Sequence, residues 1–93
     1  METIRQRMIT LLTEGEFSDR ELSQRLGIRE KEVVYHLEHI RQSAMARKMK
    51  LKVVPARCLQ CGYSFESRRR LSKPGKCPRC KGEHVEDPRY HLA

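Results

Sequence analysis

Ninety-three residues, of which 34% are charged, with a formal net charge of +8, suffice for one small domain whose core is limited by its surface-to-volume ratio. Clustered, periodic apolar residues exclude a disordered polyelectrolyte, and no apolar run nears the roughly 18 residues of a membrane span. The N-terminus lacks the apolar stretch of a secretory leader, so the expectation is a cytoplasmic protein that meets no membrane.

In chain order, Ile4, Met8, Leu11 and Leu12 fall on one stripe of a helix from Thr3 to Glu14, which Gly15 ends. In "FSDRELSQRLGI", Ser18 followed by Glu21 is a capping box. Leu22 and Leu26 give a short second helix its buried edge, and Gly27 permits the left-handed turn that closes it. A third helix from about Glu30 to Lys48 presents Val33, Leu37, Ile40 and Ala44 inward. Lys31, Tyr35, Glu38 and Gln42 lie opposite, with Val34 beside them. A short capped helix, a tight turn and a longer amphipathic helix have the spacing of a helix-turn-helix, whose second helix enters a major groove. If a groove is read, Lys31, Val34, Tyr35 and Gln42 face the bases. Glu30, Glu32 and Glu38 put carboxylates near that surface, which counts against it. His36 and His39 have no ligand partner at metal spacing and read as flank or surface residues.

"LKVVPAR", residues 51 to 57, has strand composition, with Pro55 tolerable on an edge. Then Cys58 and Cys61 form one C-x-x-C and Cys77 and Cys80 another, with fifteen residues between and no cysteine left over. Two such loops facing each other place four sulfurs around one metal and leave no open position, so the site reads as structural. Gly62 and Gly82 supply permissive backbone at the two loops, and Pro78 stiffens the second. Paired disulfides conflict with a cytosolic chain, and neither pair opens a helix as a thioredoxin-like motif would. Zinc is the favoured metal and iron the rival.

Between the pairs, Tyr63 and Phe65 share one face of a short strand, a local core against the metal loops. Arg68, Arg69, Arg70, Lys73 and Lys76 then crowd nine residues around a turn at Pro74-Gly75. The chain from 46 onward holds thirteen Lys/Arg against four Asp/Glu, whereas residues 1 to 45 hold seven against eight. The basic character therefore belongs to the second half, and phosphate is its natural counterpart, with Lys50, Lys52 and Arg57 as flanking contacts. "EHVEDPRYHLA" closes the chain with Val85, Tyr90 and Leu92 as a second strand interrupted at Asp87-Pro88. Paired antiparallel with residues 51 to 57, it forms a wing with the metal module grown out of its tip.

Two resemblances accompany these residues. "ELSQRLGIREKEVVYHLEHI" is similar to the helix-turn-helix of ArsR-like and MarR-like winged-helix regulators, with Val33, His36, Leu37 and Ile40 at the Val-x-x-His-Leu-x-x-Leu positions. "CLQCGY" and "CPRC" resemble the knuckles of rubredoxin, an iron electron carrier, although the arginine-rich middle departs from that acidic family. From Ser18 to Leu92 the chain looks like predicted transcriptional regulators of archaea and bacteria in which a winged helix-turn-helix is fused to a rubredoxin-like zinc ribbon. That likeness implies an α+β fold: a three-helix winged helix-turn-helix at 1–57 plus 83–93, with the four-cysteine ribbon at 58–82 inserted in the wing. It implies a DNA-binding transcriptional regulator acting on double-stranded DNA, often as a homodimer. The other reading is a protein-interaction adaptor whose ribbon meets an acidic partner and whose helices do not read DNA. No nucleophile with a base partner and no phosphate-cradling glycine loop appears, so no enzymatic activity is expected. A strong chelator is expected to unfold residues 50 to 92 and spare the helices.

Overall fold

The computed structural model describes residues 3–66, 71 and 73–93. Its elements run α1 (Ile4–Glu14), β1 (Phe17–Ser18), α2 (Asp19–Leu26), α3 (Glu30–Ala46), β2 (Leu51–Val54) and β3 (Arg89–Leu92). Each of the first two helices starts on a reciprocal cap. Thr3 accepts from the Gln6 amide while the Gln6 side chain takes the Thr3 amide, and Ser18 and Glu21 do the same for α2. Such a pair satisfies two backbone donors that a helix start otherwise leaves open. Gly27, at φ 67°, closes α2 in the left-handed region, where a Cβ is disfavoured. The Ser23 hydroxyl donates to the Ile28 carbonyl, so the turn into α3 is tied from both strands of chain. No side chain caps α3 at Arg29. Glu30 and Glu32 in its first turn compensate by meeting the positive end of the helix dipole.

One buried cluster unites the helices. Met8 and Leu12 from α1, Leu22 and Leu26 from α2, and Val33, Leu37, Ile40 and Ala44 from α3 meet in it, as the sequence periodicity implies. The sheet covers this cluster in the order β1-β3-β2. β3 is central and antiparallel to both neighbours, with Tyr90 opposite Phe17 on one side and Val53 on the other. The period-2 alternation turns Tyr90 and Leu92 toward the helices. Tyr90 is fully buried and its hydroxyl donates to the Leu71 carbonyl. Leu71 itself lies in the helical core. The basic excursion is thus tied back to the first domain at Leu71, an anchor that its sequence does not single out.

A second, smaller cluster holds Ala56, Cys58, Phe65, Cys77 and Val85 and shares no residue with the first. Tyr63 packs against it and meets Phe65 edge to face, 5.0 Å between centroids. Val85, read from sequence as part of the returning strand, instead bridges to Cys58 and belongs to this metal-side core. The strand begins only at Arg89, after Asp87-Pro88. The molecule is accordingly elongated, 45 × 28 × 19 Å along its principal axes.

Two carboxyls near the junction have opposite electrostatics. Glu21 is held below the usual carboxylate range by the Ser18 amide and by Arg89, 2.9 Å away. Its contribution to stability is present above the unfolded-state value and is lost as pH falls through the lower folded value. Asp19 is buried, and burial raises its pKa against the opposing pull of the Arg20 amide, with Asp87 and Glu30 adding repulsion. A raised carboxyl binds its proton more tightly in the folded state, so it costs stability at neutral pH and the cost fades as pH falls. Asp19→Asn keeps an oxygen for the Arg20 amide. It is expected to raise the melting temperature at pH 7 by a few degrees, with the gain shrinking in mild acid. A lower melting temperature at pH 7, measured by circular dichroism, would contradict this account of Asp19.

Candidate metal centre and basic surface

The two cysteine loops are near copies of one another. In the first, the Gly62 amide donates to the Cys58 carbonyl at 2.9 Å, and in the second the Lys81 amide donates to the Cys77 carbonyl at 2.8 Å. Each turn needs a left-handed residue after its second cysteine, which is Gly62 at φ 79° and Lys81 at φ 61°. Gly82, to which the sequence analysis gives that duty, serves another purpose. A Cβ there would meet the Gln60 side-chain amide, which is exposed and free to turn away, and would lie 3.3 Å from Cys80 Sγ, so glycine leaves room beside the second knuckle's own sulfur.

Backbone amides point at the sulfurs in the same pattern on both sides. Cys61 and Gln60 amides serve Cys58, while Cys80 and Arg79 amides serve Cys77. Cys61 takes the Tyr63 amide and Cys80 the Gly82 amide. Such donors favour thiolates, the form that binds metal.

The sulfur geometry fits a tetrahedral ion. Cys58 and Cys80 Sγ atoms are 3.5 Å apart, Cys61 and Cys77 Sγ atoms 3.6 Å, and all four lie within 4.8 Å of one another. Four sulfurs at ~2.3 Å from one centre stand about 3.8 Å apart, whereas a disulfide requires about 2.05 Å. Without a cation the four cannot share this space as thiolates. Amides led by that of Cys61 draw Cys58 down to about 6. At Cys80 the Gly82 amide also lowers the pKa, but the neighbouring thiols, Cys58 first, and burial outweigh it and push the group up to about 12. A divalent ion removes that conflict, because its charge compensates all four thiolates. Among the described residues this is the one His/Cys/Asp/Glu cluster able to hold a metal.

The remaining predicted residues are dispersed over a broad surface. Lys31, Tyr35 and Gln42 are exposed on α3, with Tyr35 57% accessible, while Val34 is half-buried and packs against the helical core. Tyr35 stands edge-on to His39, 4.7 Å between centroids, and His36 accepts from Arg5 Nε at 3.3 Å. Two of the three acidic residues on this helix are paired, Glu32 with Arg29 at 3.3 Å and Glu38 with Arg41 at 2.5 Å. Lys50, Lys52, Arg57 and Lys76 are exposed. Lys73 is engaged, lying 3.2 Å from Asp87, which Arg20 also approaches at 3.7 Å. Arg68, Arg69 and Arg70 lie outside the described residues. Sequence reasoning gave no role to the Asp87 pairing, since its partners come from α2 and from a loop 14 residues upstream.

Three helices, a small antiparallel sheet and a closed four-cysteine site define a small α+β protein with a zinc ribbon. No helix among the described residues is long and apolar enough to cross a membrane. The chain belongs to the PF0610-like family: residues 3–52 match the model for the PF0610-like N-terminal domain, and residues 55–93 match that for the PF0610 rubredoxin-like zinc beta-ribbon domain. It is similar to the solution NMR structure of protein PF0610 from Pyrococcus furiosus, with 35% sequence identity and a TM-score of 0.83, over 97% of this chain and 88% of that one. None of the curated proteins matches the chain.

Proposed function

We propose that the chain is a DNA-binding transcriptional regulator, with α3 entering a major groove and β2 and β3 forming a wing that carries a structural zinc ribbon. The observation that carries this reading is the order of elements: a capped short helix, a three-residue turn, a longer helix with an exposed outer face, then an antiparallel strand pair. The ion pairs of Glu32 and Glu38 weaken the electrostatic objection to this helix, because both carboxylates are partly neutralised within it. Lys31, Tyr35 and Gln42 would read base edges, and His39 joins them through its contact with Tyr35. Lys50, Lys52, Arg57, Lys76 and the Arg68, Arg69 and Arg70 run would grip phosphates. Zinc is favoured over iron, because a closed tetrathiolate beside a basic loop has no evident redox partner. A cytoplasmic homodimer on duplex DNA, with no enzymatic activity, completes the proposal.

The test is a salt titration of the zinc-loaded protein on duplex DNA. Removing Lys50, Lys52 and Arg57 together with alanine should weaken binding to every sequence and flatten the salt slope by about three units or fewer. Tyr35→Ala should change sequence preference instead. An unchanged slope in the first variant, or unchanged preference and affinity in the second, contradicts the assignment of those residues.

The adaptor reading has one observation in its favour. Leu59, on the first knuckle, is 67% exposed, and Arg79 and Lys81 on the second are exposed as well. An apolar contact ringed by cations suits an acidic protein partner. Failure of the zinc-loaded protein to bind any duplex at low salt would move the assignment to this reading.

A further inference from the structure

The N-terminal half contains seven cations, Arg5, Arg7, Arg20, Arg25, Arg29, Lys31 and Arg41. Arg5 is bonded to His36, Arg20 pairs with Asp87, Arg29 with Glu32 and Arg41 with Glu38. Arg7, Arg25 and Lys31 pair with no carboxylate among the described residues; Lys31 stands on α3, whereas Arg7 and Arg25 both line the same open cleft between α1 and α2, about 370 Å³ in volume. Two like charges lining one open, solvent-exposed cleft repel each other when it is empty and attract an anion that settles between them.

One of the two is already positioned. The Arg25 guanidinium lies over the Phe17 ring, 4.9 Å from its centroid, a cation–π contact that limits its rotamers and leaves its donors at the edge. Leu11 supplies an apolar wall, and Thr10 lines the cleft while its hydroxyl donates to the Gln6 carbonyl at 3.1 Å. Guanidinium pairs match the oxygens of phosphate better than other common anions, because each planar fork can deliver two parallel hydrogen bonds. We propose that the α1–α2 cleft binds a phosphate group between Arg7 and Arg25. The same chemistry is offered by a free phosphorylated small molecule and by a backbone phosphate of DNA. The proposal does not rest on the DNA reading, since a small phosphorylated ligand would fill the cleft without it.

The experiment follows the arginine Nε–Hε resonances of the zinc-loaded full chain by NMR, titrated with inorganic phosphate and, separately, with a short duplex, at ionic strength matched by chloride. The expected result is that Arg7 and Arg25 shift together along one saturating curve while the exposed Arg47 stays in place. Saturation by inorganic phosphate identifies a small phosphorylated ligand as the source, and saturation by duplex alone identifies the DNA backbone. Arg25→Gln should weaken binding about tenfold or more, and Arg7→Gln, on the other helix, should do the same with an unchanged melting temperature. If neither probe moves the two resonances, if chloride moves them equally, or if they follow different curves, the proposal is overturned.

Discussion

Stripping the metal with a strong chelator, or replacing Cys77 with serine, should unfold the ribbon and leave the helical domain standing. Structural zinc sites supply on the order of 10–16 kcal/mol of apparent folding free energy in small zinc modules. Among the described residues the ribbon's own buried cluster holds Ala56, Cys58, Phe65, Cys77 and Val85, too little apolar surface to offset the chain entropy of ordering about thirty residues. Two of those five are metal ligands, so losing the ion removes both the crosslink and the core. The helical cluster contains none of them. The affected span is therefore narrower than the 50 to 92 expected from sequence, because Tyr90 and Leu92 belong to the helical core and β2 is laddered to β3. Hydrogen exchange should show lost protection from about Ala56 to Glu66 and Lys73 to Glu86, with β2, β3 and the helices protected. Loss of protection across both halves at the same rate would contradict the division into two cores.

Tyr90→Ala should have the opposite signature. Tyr90 is the largest fully buried side chain among the described residues and sits on the central strand, in the core cluster to which all three helices contribute. Aromatic-to-alanine changes in a core cost about 3–5 kcal/mol, a large part of the roughly 5–15 kcal/mol that holds a small domain. The variant should lose helical circular dichroism at much lower denaturant concentration, while cobalt substituted into the ribbon keeps its tetrahedral thiolate spectrum. Tyr90→Phe isolates the hydroxyl. It leaves the Leu71 carbonyl without that donor, which costs about 1–3 kcal/mol. A Tyr90→Ala midpoint within about 1 kcal/mol of wild type would contradict the burial that this prediction rests on.

Much of the helical half is legible in the sequence because its signals are local. Ser18 and Glu21 are three residues apart, Gly27 follows the last apolar residue of α2, and the α3 stripe repeats at helical period. The cysteine spacing is legible for the same reason, since two residues between sulfurs set a single turn. What the sequence hides is pairing at a distance. β1 has only two residues and no periodicity of its own, so its addition to the sheet beside β3 depends on Tyr90 meeting Phe17 far along the chain. Leu71 is one apolar residue in a charged loop, and nothing nearby tells it apart from a solvated position. Val85 satisfies a strand pattern and a ribbon core equally well, and its bridge to Cys58 settles the matter only once the knuckles have closed. Asp87 likewise gains its meaning from Arg20 and Lys73, neither of which is near it in sequence.

The central claim, that α3 reads DNA from a scaffold extended by a zinc ribbon, is tested most directly by selecting bound molecules from a randomised duplex pool with the zinc-loaded protein at two salt concentrations. The account predicts a recovered motif that persists at the higher salt, with a palindrome and half-sites about one helical turn apart if the protein acts as a dimer. Salt-sensitive binding with no motif, or no binding at either salt, would contradict it.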